Sequence, residues 1–222
     1  MAGGAGLLAA GLAGGRATSA LAASADEASR QVPGPRAALR LLIEGNRRWA
    51  RGRPRYPHQS VAWRRYVAGH QAPFATVISC IDSRVPPEIV FDRGLGDMFV
   101  IRTGAQTLDD QVVLGSIEFG AVFYPSARLM FVLGHQKCGA VAEAIEVIET
   151  GDRAPGHIQA VVNALRPAYR VAKPQRGDLL DNMIRAQTWL TVQRLKQDPL
   201  LRKQMIVGGY YNLYSGIVEI IA

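Results

Sequence analysis

"FATVISCIDSRVPPEIVFDRGLGDMFVIR", residues 74–102, contains the repeating unit of the fold. The run FATVISC (74–80) is short, apolar and rich in β-branched residues, which suits a buried strand. DMFVIR (97–102) is a second such run. Between them, PPEIVFD (86–92) is a short helical pattern led by prolines, which suit a first helical turn. Two strands joined through a helix lie parallel. Outward from this unit the alternation continues. DDQVVLGSIEFGAVF (109–123) is helical, RLMFVLG (128–134) is a third strand, and GAVAEAIEVIETG (139–151) is an amphipathic helix. Helices are expected over His157–Val171 and Leu179–Leu195, the latter with Trp189 turned inward. QMIVGGYYNLYSGIVEIIA (204–222) is a strand, a turn at Ser215-Gly216 and a last strand. On the N-terminal side, PRAALRLLIEGNRRWARG (35–52) places Leu39, Leu41, Leu42, Ile43 and Trp49 toward one helix face, and a short helix follows around Val61–Ala68. The expected class is α/β: a mostly parallel central sheet of four to five strands flanked by helices, with an N-terminal helical arm.

The two cysteines sit at matching places in this pattern. Cys80 ends the first strand. Cys138 follows the third, with His135 three residues before it. Ligands gather at the carboxyl ends of strands in open α/β sheets, so the three side chains are expected to converge. Two thiolates and an imidazole are natural zinc ligands, and three protein ligands leave a fourth position open, as in catalytic zinc sites. Cys138 opens a helix, whose dipole favours a thiolate. Asp82 is two residues from Cys80. It is either a fourth zinc ligand that blocks the site or a carboxylate held off the metal by a bidentate pair with Arg84. In the second arrangement Asp82 accepts a proton from bound water, and zinc-bound hydroxide forms near neutral pH. Each part has a structural alternative: Cys after a strand as inert core, D-S-R as a helix cap with a surface arginine, or Cys80 and Cys138 as one disulfide.

Composition restricts the remaining classes. The chain of 222 residues suits one well-buried domain with a short extension. Its net charge of +8 raises the question of an acidic partner. The one dense patch, RRWARGRPR (47–55), is read as a solvated helix face and loop, so no nucleic-acid partner is expected. Residues 1–25 are almost all Ala, Gly, Leu and Ser, and the apolar stretch Leu7–Ala13 is too short to span a bilayer. "ASA" (23–25) fits a small-residue cleavage site. The segment is read as a truncated twin-arginine-like signal for export to the periplasm or beyond. Without a basic n-region or Arg-Arg pair, the alternative is a disordered tail on a cytoplasmic protein. Residues 26–222 form the domain.

C-x-D-S-R (80–84) followed by H-x-x-C-G (135–139) resembles the signature of the β-class carbonic anhydrases. The resemblance runs from about Arg36 to the end, through LIEGNRRW (42–49), VLGSIEFGAV (113–122) and VGGYYNLYSGIV (207–218). It implies a zinc enzyme that hydrates carbon dioxide reversibly to bicarbonate and a proton. Zinc is held by Cys80, His135 and Cys138, with Asp82–Arg84 as the catalytic dyad and Asp82 as an alternative ligand in a closed form. It places Gln71 as a donor to substrate, Phe99 on the apolar wall, and Phe119, where tyrosine is usual, toward a partner subunit's site. It implies a homodimer or homotetramer with active sites at the dimer interface. The chain departs from the family at RTGAQ (102–106), usually R-N-A-G-N, and at Gln136, usually Ser or Thr. His58, His70 and His157 are proton shuttles or ordinary surface residues. The alternatives are a carbonyl sulfide or carbon disulfide hydrolase on the same scaffold, and a zinc-stabilised or redox protein.

Overall fold

β1 (Ala75–Cys80) is buried along its whole length, with a strand on each side of it in the sheet. In the computed structural model, which describes residues 32–222, it pairs in parallel with β2 (Met98–Thr103) on one side and β3 (Leu129–His135) on the other. β4 (Met205–Tyr211) adds in parallel to β3, and β5 (Val218–Ile220) closes the edge antiparallel to β4. The sheet order is β2-β1-β3-β4-β5. The chain leaves β1 for β2 on one side and then crosses to β3 on the other. The carboxyl ends of β1 and β3 therefore flank the topological switch point, where a crevice opens.

The strand alternation sorts the core into two faces. Ala75, Val77, Leu129, Phe131 and Leu133 pack with Leu42 of α1 (Pro35–Ala50) and, beyond α2 (Val61–Val67), with Val90 of the short helix α3 (Pro87–Val90). Ile78, Met130 and Val132 pack on the opposite face, with Ile117 of α4 (Gln111–Phe123) and Val192 of α7 (Leu179–Gln197). α2 itself contributes no buried residue and belongs to the arm. α5 (Gly139–Thr150) and α6 (Ile158–Ala172) join α7 in a third cluster that includes Cys80 and Cys138. Asp110 and Asp178 cap α4 and α7 by accepting from backbone N–H groups of the first turn.

The expected class holds, with five strands. One helix face differs from the sequence reading. Trp189 is not inward but 46% exposed. α7 turns Ile184, Thr188, Thr191, Val192 and Leu195 to the interior instead. Thr188 and Val192 lie against the backbone at Gly208, so the helix comes too close to the sheet to admit an indole. The described residues from Pro33 to Ala222 make one compact unit. The stretch 1–25, read as an export signal, lies outside the described residues. Among those described, no helix is long and apolar enough to cross a membrane.

Candidate metal centre

β1 and β3 deliver their last residues to one point. The ligand atoms of Cys80, His135 and Cys138 all lie within 4.8 Å of one another, and the three residues are buried. Cys80 Sγ is 3.8 Å from Cys138 Sγ, and both thiols are free. Cys138 sits at the N-cap of α5. His135 Nδ1 is 3.0 Å from the Gln136 carbonyl, to which it donates. That bond occupies Nδ1 and leaves Nε2 as the ring atom available to a ligand. Nε2 is buried without a hydrogen-bond partner among the described residues. A buried imidazole nitrogen with no partner is costly. One aimed at two thiols fits a divalent ion of borderline softness.

The thiols support this reading. The hydrogen bond from Cys138 is the main reason Cys80 is drawn down to about 4; burial opposes it, and His135 and the Ala105 N–H add to it. The same bond and burial push Cys138 up. The pair thus gives up one proton readily and holds the second, which a bound dication would displace. Asp82 stands beside them. Its Oδ2 is 4.0 Å from His135 Nε2. Arg84 donates to it through Nε (2.9 Å), through its backbone N–H (2.9 Å) and through a terminal nitrogen (2.6 Å). Those bonds hold the carboxyl down at about 2. Arg84 also donates to the Lys137 carbonyl at 3.2 Å, which fastens the dyad to the segment between His135 and Cys138.

The other sequence-derived candidates assemble elsewhere. Gln71 donates to the Tyr124 hydroxyl at 2.9 Å. Phe99 meets the Tyr124 ring edge-on at 5.0 Å, and Phe119 lies 6.0 Å from it. Phe99 pairs in register with Thr76, and Cys80 with Thr103. Four residues of strand, about 13 Å, therefore separate Phe99 from Cys80 of the same chain. His58 stacks on Trp63 and bonds Asp97 within the arm.

Sequence reasoning missed three supports. Arg102 donates to the backbone carbonyls of Cys80 (2.8 Å) and Asp82 (2.6 Å), which pins the ligand loop. The Ala105 N–H donates to Cys80 Sγ at 3.4 Å. Tyr124 completes the aromatic cluster. An arginine closing an otherwise apolar strand was the available signal for the first; backbone donors leave none.

Fold and side chains together define an open α/β protein with a Cys-His-Cys cluster, able to hold a metal ion, at its switch point. A family model described as carbonic anhydrase matches residues 75–218. Carbonic anhydrase 2 of Mycobacterium tuberculosis is 40% identical over 79% of this chain and 84% of its own length. A carbonic anhydrase of Mycolicibacterium smegmatis is 38% identical over 84% of this chain and 93% of its own. A tetrameric β-carbonic anhydrase of Sordaria macrospora shares the fold, with a TM-score of 0.65 at 21% identity, over 81% of this chain and 94% of its own. The chain belongs to the carbonic anhydrase family, and its fold is that of the β class.

Proposed function

We propose that the protein hydrates carbon dioxide reversibly to bicarbonate, with zinc held by Cys80, His135 and Cys138. The buried, unpartnered Nε2 of His135 facing two thiols carries the metal assignment. The zinc, when bound, lowers the pKa of water toward about 7 and so makes a nucleophile available. Asp82, ionised and held by Arg84, accepts the proton at a carboxylate oxygen and passes it to buffer. The bidentate grip also keeps Asp82 from turning to the metal as a fourth ligand. Arg102 keeps the Cys80–Asp82 backbone rigid.

Gln71, Phe99 and Phe119 serve a second copy of the chain. About 13 Å is too far for Phe99 to line its own site, and Gln71 and Phe119 gather on Tyr124 beside it, while Phe119 and Phe123 of the same surface are 53% and 66% exposed. In the resulting homodimer Gln71 donates to an oxygen of the substrate at the other subunit's metal, and the aromatic rings form an apolar wall for carbon dioxide.

Stopped-flow hydration on the zinc-loaded protein across about pH 6.5–9 tests this, since that range brackets the expected water pKa near 7. A rate that rises with pH and is lost in Asp82→Asn is expected. No hydration at any pH with zinc bound stoichiometrically would overturn the assignment.

A further inference from the structure

Two neighbours of the metal site have backbone conformations that residues with a Cβ avoid. Ala105 (φ 52°, ψ 37°) and Gln106 (φ 48°) are consecutive and left-handed, and neither is glycine. Such strain persists only where the surroundings over-determine it, and it concentrates at functional sites. The surroundings here are specific. Ala105 is fully buried, with its N–H on Cys80 Sγ. Gln106 is 2% exposed. Its Nε2 donates to Thr188 Oγ1 at 3.0 Å, and that hydroxyl donates on to the Ile184 carbonyl at 2.9 Å. Thr103 Oγ1 closes the turn on the Thr107 carbonyl at 2.8 Å.

The peg is tightly seated. Gly134 precedes His135, and a Cβ there would collide with Thr188 Oγ1 and press on Gln106 Nε2. Gln106 and Thr188 are thus wedged between the strained turn, α7 and the strand end that presents the histidine. An apolar pair would fill this space as well. A hydrogen-bonded polar one fixes a single geometry.

We propose that Gln106 is a positioning residue for the metal site: bonded to Thr188, it holds Ala105 in the left-handed conformation that aims the Ala105 N–H at the Cys80 sulfur. The inference rests on the metal reading of Cys80. It does not touch the substrate.

The test is metal affinity of the full chain, with Zn²⁺ measured by chelator competition and Co²⁺ by its thiolate charge-transfer absorption. Gln106→Met keeps the length and removes the donor. It is expected to weaken Zn²⁺ binding about 10–100-fold, the usual effect of losing an outer-shell partner, and to shift the Co²⁺ band, while the metal-free protein keeps its far-UV circular dichroism. Adding Ala105→Gly is expected to restore most of the affinity, because glycine enters the left-handed region without strain. A packing defect at position 106 would not be rescued in that way. Thr188→Val removes the acceptor from the other side and is expected to show the same loss and the same rescue, which decides the matter if Gln106→Met does not fold. Wild-type affinity in the variants, or a loss that glycine does not recover, overturns the inference. A wild-type protein that binds neither ion overturns the metal reading beneath it.

Discussion

Asp82 shows how one residue's charge state is set by a neighbour two positions away. Three bonds from Arg84 keep it ionised across the neutral range. Asp82→Asn removes the proton acceptor and the charge but not the shape. Hydration is expected to fall about 10²-fold or more, with zinc content by atomic absorption unchanged because no ligand is lost. The same residue has a signature in metal-free protein. Its folded pKa of about 2 lies below the ordinary 3.8, so its contribution to stability is present above 3.8 and fades as pH falls toward 2. Thermal melts of wild type and Asp82→Asn should therefore differ near neutrality and converge in acid. The convergence of Cys80, His135 and Cys138 and the Asp82–Arg84 pair were legible in the sequence because each half is local: C-x-D-S-R on one strand end and H-x-x-C on another. Gln106 was not. Its partner is 82 positions away, and a lone glutamine in a loop gives no sign of being buried. Ala105 gave even less, since its role is carried by a backbone N–H and a positive φ.

At the scale of elements, one buried asparagine ties the arm to both the sheet edge and α3. Asn46 on α1 donates to the carbonyls of Val90 (3.1 Å) and Gly216 (2.8 Å) and accepts from the Val218 N–H at 2.8 Å. It is 2% exposed and links α1, α3 and β5 at once. Asn46→Leu would leave three backbone groups unpaired in the interior, at about 3 kcal/mol, or a melting temperature lower by roughly 6–12 °C for a chain of this size. One residue away, α1 presses backbone to backbone. A Cβ on Gly45 would overlap the Phe91 carbonyl oxygen, so Gly45→Ala is expected to lower the melting point by a similar amount in the same scan. Hydrophobic spacing located α1 and its leucines, but a polar Asn and a Gly cannot register in an apolar pattern. Trp189 failed for the converse reason. Size and hydrophobicity pointed inward, while the actual interior face of α7 is chosen by how near the sheet lies.

For the whole molecule, the decisive feature is the distance between two halves of one proposed site. Cys80, His135, Cys138 and Asp82 stand at the carboxyl end of the sheet; Phe99 stands about 13 Å away along it, with Gln71 and Phe119 gathered on the neighbouring Tyr124. Exposed Val112, Phe119, Val122 and Phe123 make α4 apolar toward solvent, and exposed apolar patches mark interaction surfaces. If two copies pair symmetrically through this surface, each site takes its metal from one subunit and its glutamine from the other. Complementation tests that arrangement directly. Gln71→Ala and Asp82→Asn dimers should each be nearly inactive. After equal amounts are mixed and allowed to exchange subunits, half of the dimers are mixed. In each of those, one site combines an intact Asp82 with an intact Gln71 and the other has neither. Hydration activity should therefore recover to about a quarter of the wild-type value. Glutamine acting within its own chain would give no recovery, because every site in every mixture would then lack one of the two residues. Phe123→Glu should prevent recovery by breaking the pair, and sedimentation would show a monomer that still binds zinc.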